Sequence, residues 1–164
     1  HAPHIASRET RTLETLIRQS ATIKADVVME DEREAGRRAV LNAGHTVAHA
    51  LESATDYAIP HGEAVAIGLM VETRVAEAMG VAESGTADAI AALLTRLGLP
   101  TVPPPDLDRS RIMSALRADK KNRGDAVHAA LIAAFGTVAR DGDAWTHAVD
   151  LKVLDRMLTV RGER

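Results

Sequence analysis

The sequence predicts a mainly α-helical domain with a small β-hairpin near its C-terminus. Three observations carry that prediction. Phe135, Tyr57 and Trp145 are the only aromatics in 164 residues, so the core must be built from Ala, Val, Leu, Ile and Met, which favours closely packed helices over a β-sandwich. Most of the chain spaces its apolar residues at the helical period. The stretch "VHAALIAAFGTVARDGDAWTHAVD" instead reads as two short strands around the turn signal "RDGD". The length suits one compact domain, residues 1–164, with a sizeable core.

Residues 9–28 form the first expected helix, with Leu13, Leu16, Ile17, Ile23 and Val27 as its apolar stripe. "MEDEREAG" is a charged turn or helix start, interrupted at Gly36. A second helix is expected from Arg37 to Ala54, and Pro60 in "DYAIPHGEA" breaks it. The third runs from His61 to about Met79 and ends at Gly80. "AESGTADAIAALLTRLG" is a helix stopped by Gly98, followed by the extended connector "LPTVPPPD". "DLDRSRIMSALRADKK" is a further helix capped by Asp106 or Asp108. "NRGDA" turns the chain into the hairpin, and "LKVLDRMLTV" is the last helix. There is no internal repeat or low-complexity segment.

Net charge is −3, which speaks against a general nucleic-acid surface. Cysteine is absent, which excludes disulfides and thiolate metal ligands and suits a reducing compartment. No apolar run approaches the ~20 residues of a spanning helix and no signal-peptide pattern opens the chain, so the expectation is a cytoplasmic protein with no membrane partner. The lysines are Lys24, Lys120, Lys121 and Lys152 among 20 basic residues. Against so much arginine, a lysine marks a place where a compact ammonium is useful, in catalysis or phosphate binding.

"LNAGHTVAHALE" places His45 and His49 four residues apart. On a helix from Arg37 to Ala54, at ~100° per residue, Arg38, Asn42, His45 and His49 fall within roughly a 60° fan. Val40, Ala43, Val47, Ala50, Leu51 and Ala54 take the opposite side. The bland interpretation is a solvated face. Such faces are usually Lys, Glu and Gln, whereas a guanidinium, an amide and two imidazoles suit an anionic, hydroxylated ligand better than bulk water. Gly44 costs about 1 kcal/mol relative to alanine inside a helix, so close approach by another group is its expected reason.

"PHGEA" follows, with His61 at or near a helix N-terminus, 12 residues after His49. His45, His49, His61 and Glu63 can form a metal site if the loop folds back, since Zn²⁺ accepts imidazole and carboxylate. HxxxH alone is more often structural than ligating. "DKKN" puts Lys120 and Lys121 at a helix end, where cations are favoured anyway. His1, His4, His128 and His147 have no convincing partners and read as surface or incidental residues.

"IKADVVMEDEREAGRRAVLNAGHTVAHALE", "HGEAVAIGLM" and "DKK", in this order and spacing, resemble the C-terminal domain of 3-dehydroquinate synthase, within the sugar-phosphate cyclase superfamily. The resemblance covers about Thr10 to Thr159 and implies a dehydroquinate synthase-like helical C-terminal domain. It also implies an N-terminal NAD-binding α/β domain as partner, with the active site in the cleft between them. The implied substrate is a small sugar phosphate, 3-deoxy-D-arabino-heptulosonate 7-phosphate. NAD⁺ transiently oxidises a ring hydroxyl, phosphate is eliminated, the ketone is reduced back, the ring opens and an aldol step closes a carbocycle. Zinc, or a cobalt-like divalent ion, holds and acidifies substrate hydroxyls.

Carried over residue by residue, His45 and His61 resemble two of the family's three metal ligands. His49 resembles a histidine that assists proton transfer near the leaving phosphate. Lys24, Arg38 and Asn42 resemble residues that grip the substrate's phosphate, carboxylate and hydroxyls. One of Lys120 and Lys121 resembles another anion-binding group. The resemblance gives Glu63 the role of orienting His61. The third metal ligand, a glutamate in an "AExxK" stretch, and the NAD-binding domain have no counterpart here, and no glycine-rich fingerprint replaces them. The expectation is therefore a fragment or isolated domain, inactive alone and holding zinc weakly. Family enzymes are often homodimers, joined mostly through the other domain. Three alternatives stand beside this: another sugar-phosphate cyclase, a stand-alone helical binding or regulatory domain, and a helical metalloprotein using His45, His49, His61 and Glu63.

Overall fold

The computed structural model describes residues 2–33, 36–118 and 126–158. The architecture is mainly helical, with short antiparallel strand pairs near the C-terminus. A short helix, α1 (Ala2–Ala6), absent from the sequence expectation, precedes the long α2 (Thr10–Glu30). A 3₁₀ helix (Arg37–Asn42) leads to α3 (His45–Ala54) and α4 (His61–Ala78). Then come α5 (Thr86–Arg96), α6 (Arg109–Ala118), four strands and α7 (Leu151–Met157).

The central element is α4. Its sequence is apolar on nearly every side, as a helix enclosed by neighbours requires, and it packs on α3, α5, α7 and a strand. Ile67, Val71 and Val75 join Val47 and Leu51 of α3 in the main core, while Ala66 and Met70 pack with Ile90 and Leu94 of α5. Each fully buried Leu, Ile or Met contributes roughly 1.5–3 kcal/mol. Pairings of Gly44 with Glu72, Ala48 with Gly68 and Glu52 with His61 run in opposite chain directions, so α3 and α4 are antiparallel.

The expected continuous helix from Arg37 to Ala54 does not form. Ala43 leaves the helical region and Gly44 adopts φ +80°. The cause is tertiary. The buried Glu72 carboxylate accepts the Gly44 and Val47 backbone N–H groups at 2.8 and 3.0 Å, taking the place of a preceding helical turn. Arg38 and Asn42 thus lie on a separate segment, and the wheel that joined them to the histidines does not apply.

The first helix bears the predicted apolar stripe, but only Val27 of it is buried; Leu16, Ile17 and Ile23 are exposed. Amphipathic period alone says nothing about whether a neighbour covers the stripe. Asp108 caps α6 by accepting the Ser110 N–H at 2.8 Å, and Asp150 caps α7 through the Lys152 N–H at 2.7 Å.

The strand region is more subdivided than a single hairpin. The outer pair, β1 (Ala126–Ala129) and β4 (His147–Asp150), sets Val127 against Val149. It encloses a small hairpin of β2 (Ile132–Ala134) and β3 (Thr137–Val138), turning at Phe135–Gly136. The "RDGD" signal makes only a tight turn with one bridge, Asp141 to Ala144. His147 is not a surface residue. It is buried in β4, and its Nε2 is a buried nitrogen without a hydrogen-bond partner among the described residues. No described helix is long and apolar enough to cross a membrane.

Candidate functional site

The antiparallel α3–α4 pair brings three of the predicted residues together. The rings of His45 and His61 have centroids 5.4 Å apart. His45 and His49 are 5.5 Å apart, edge to face, and His49 and His61 are 6.4 Å apart. His45 is half-buried, whereas His49 and His61 are exposed. His61 opens α4 directly after Pro60, whose fixed φ suits a helix start.

Two of the rings are oriented by acceptors. His45 Nδ1 lies 3.2 Å from the Ala43 carbonyl oxygen. His61 Nδ1 lies 2.9 Å from Oε1 of Glu52. A carbonyl and a carboxylate only accept, so each Nδ1 acts as the donor, and in that tautomer of the neutral ring Nε2 is the nitrogen left for a ligand. Two imidazoles at about 2.0–2.1 Å from one tetrahedral ion have centroids about 5 Å apart. The His45–His61 and His45–His49 separations both come close to that value, and the His49–His61 separation is longer. The donor set therefore suits two nitrogen ligands to a divalent ion. Among the described residues, no group of three or more His, Asp or Glu forms a metal cage.

Glu52 is the residue that the sequence expectation missed. Glu63, assigned to orient His61, is exposed in the first turn of α4, and the bond to His61 comes from Glu52. Only the antiparallel return of the chain brings them together, although "HALE" in the histidine motif was a signal. Asp31 was also missed. Its Oδ2 accepts the Gly36 and Arg38 N–H groups at 2.8 and 2.9 Å, fixing the start of the 3₁₀ helix.

Arg38 is half-buried on that 3₁₀ helix and donates from Nη1 to the Glu32 carbonyl at 3.2 Å. Asn42 ends the same segment, half-buried. Lys24 is exposed on α2, the helix against which the 3₁₀ segment packs. Lys120, Lys121, His1 and most of the "NRGDA" turn lie outside the described residues. His4 pairs with Glu9 at 2.9 Å on the surface. Beside His49, a cleft of about 230 Å³ opens between α3 and α6, bounded by Thr46, Ser53, Ala115 and Ala118.

Burial lifts the Glu72 carboxyl from its ordinary 4.5 to about 7, while the bonds from Val47, Gly44 and Thr46 pull the other way. Glu72 thus ties the backbone on either side of His45 to α4.

The sequence profile of the family described as 3-dehydroquinate synthase C-terminal matches residues 1–122. The chain belongs to this family. Halorhodospira halophila 3-dehydroquinate synthase is 38% identical over 144 residues, covering 87% of this chain and 40% of that protein. The chain spans between a third and two fifths of the length of such relatives. A 2-deoxy-scyllo-inosose synthase, crystallised with carbaglucose-6-phosphate, NAD⁺ and Co²⁺, superposes with TM-score 0.81 at 27% identity, over 90% of this chain and 41% of that one. A 2-epi-5-epi-valiolone synthase from Streptomyces hygroscopicus, with NAD⁺ and Zn²⁺ bound, shares the fold at TM-score 0.73 and 20% identity, over 96% of this chain and 43% of that one.

Proposed function

We propose that the chain is the substrate- and metal-holding part of a cytoplasmic 3-dehydroquinate synthase. The reaction is conversion of 3-deoxy-D-arabino-heptulosonate 7-phosphate to 3-dehydroquinate and phosphate, a carbon–oxygen lyase step of the shikimate pathway. The observation that carries it is the His45–His61 pair, 5.4 Å apart, with each Nδ1 turned to an acceptor. His45 and His61 are the residues that would hold zinc or a similar divalent ion. When bound, that ion supplies Lewis acidity to a substrate hydroxyl. The third ligand is the glutamate that the family resemblance places in the NAD-binding domain, and NAD⁺ is held mainly there. With two nitrogen ligands, the chain alone binds the ion weakly and does not turn over substrate.

His49 stands beside the pair without belonging to it. Its place on the cleft between α3 and α6 suits a proton carrier at the departing phosphate. Arg38 and Asn42 supply donors for the substrate's anionic and hydroxyl groups. Lys24, with Lys120 or Lys121, adds charge for its phosphate and carboxylate.

A second assignment, another sugar-phosphate cyclase, draws support from the inosose synthase superposition at 27% identity. The higher identity to a dehydroquinate synthase over most of the chain favours the first. Joining residues 1–164 to a dehydroquinate synthase NAD-binding domain tests both. With NAD⁺ and zinc, phosphate should be released from the heptulosonate phosphate, with 3-dehydroquinate as product. No release refutes an active synthase half, and release from a different heptulose or hexose phosphate alone selects the second assignment.

A further inference from the structure

The loop that delivers His61 is clamped twice by one residue of α3. The Glu52 carboxylate accepts from His61 Nδ1 at 2.9 Å, and the Glu52 backbone carbonyl accepts the Tyr57 N–H at 2.7 Å. Between them, Asp56 and Tyr57 adopt φ of 52° and 61°. Left-handed backbone at non-glycine residues costs roughly 1–2 kcal/mol each, so this turn persists only because neighbours hold it. Arg111 of α6 adds a second hold, donating to both carboxylate oxygens of Asp56 at 3.1 Å. The Glu52 side chain is only 13% exposed, which leaves its carboxylate little freedom to turn elsewhere.

We infer that Glu52 is the positioning residue for His61: its carboxylate locks the ring as the Nδ1–H tautomer and aims Nε2 into the space shared with His45. Resting on the metal assignment above, it makes Glu52, through His61, a determinant of ion affinity. An imidazole fixed by an anionic acceptor is pre-oriented, and losing such a partner typically weakens metal binding by about 10–100-fold. Glu63 has no part in this, so Glu63→Gln serves as the matched control.

Two measurements on the full 164-residue chain test the inference. The first is proton–nitrogen correlation NMR of ¹⁵N-histidine-labelled, metal-free chain at about pH 8, above the ordinary imidazole pKa. Wild type should show His61 as the Nδ1–H tautomer, and Glu52→Ala should release it to a mixed population. The second is cobalt(II) titration, followed by visible absorption. Glu52→Ala should lower affinity about 10–100-fold. Glu52→Gln, whose amide oxygen can still accept, should fall between, and Glu63→Gln should match wild type. An unchanged His61 tautomer in Glu52→Ala overturns the inference, as does a released tautomer with unchanged cobalt affinity. Equal cobalt binding by wild type and His61→Ala would instead refute the metal assignment, and the tautomer result would still judge Glu52's hold on the ring.

Discussion

Gly68 and Gly44 meet backbone to backbone: a Cβ at Gly68 would lie 2.0 Å from the Gly44 carbonyl oxygen. The same Cβ would also sit 3.1 Å from the Ala48 nitrogen. These are backbone atoms of α3 and its entry turn, which cannot swing aside as a side chain can. Gly68→Ala should therefore push α3 off α4 and cost about 1–3 kcal/mol or more. Thermal unfolding of the chain checks this, and an unchanged Tm would mean that the two helices are not in such contact.

Glu72 makes stability pH-dependent in a defined direction. Its folded pKa, about 7, lies above the ordinary 4.5. Between those values the folded state binds more protons than the unfolded one, so this group's contribution is full below about pH 4.5 and is lost as pH rises through 7. The slope is at most about 1.4 kcal/mol per pH unit. Glu72→Gln should flatten it while weakening one of the bonds to Gly44 and Val47. Urea unfolding of both proteins at several pH values between these limits measures the difference; parallel curves would contradict it.

The three clustered histidines should separate by function. His45→Ala and His61→Ala should each abolish detectable cobalt binding by the chain. His49→Ala should retain it, yet in the completed enzyme should slow turnover by about 10²–10⁴-fold, the usual range for loss of a general acid–base group. Loss of metal in His49→Ala would instead favour a three-histidine site.

Arg38→Ala should weaken substrate binding in the completed enzyme by about 1.5–3 kcal/mol, the range for a bond to a charged group. Its backbone bond to Asp31 does not depend on the side chain, so the fold should survive. Isothermal titration with a non-reacting substrate analogue reads the change, and wild-type affinity would remove Arg38 from the ligand.

Much of the helical framework was legible from periodicity and punctuation. α4 begins at His61, after Pro60, and ends before Gly80, as expected. The break at Gly44 was not legible, because its cause is Glu72, 28 residues away. The glycine itself did signal close approach. Likewise, the family resemblance pointed to Glu63 as the partner of His61, and only the antiparallel packing of α3 on α4 brings up Glu52. The exposed stripe on α2 shows the converse limit: the pattern gives a face but not what covers it. The local turn "RDGD" was visible, but the inner hairpin at Phe135–Gly136 lies in alanine-rich sequence with weak strand preference.

The central claim is that His45 and His61 share one ion. Zinc-edge anomalous diffraction from crystals of the chain grown with excess zinc tests it most directly. A single strong peak bonded to Nε2 of both His45 and His61, with Glu52 still on Nδ1 of His61, is the predicted result. Zinc bound by His49 and Glu63, with none between His45 and His61, would contradict it.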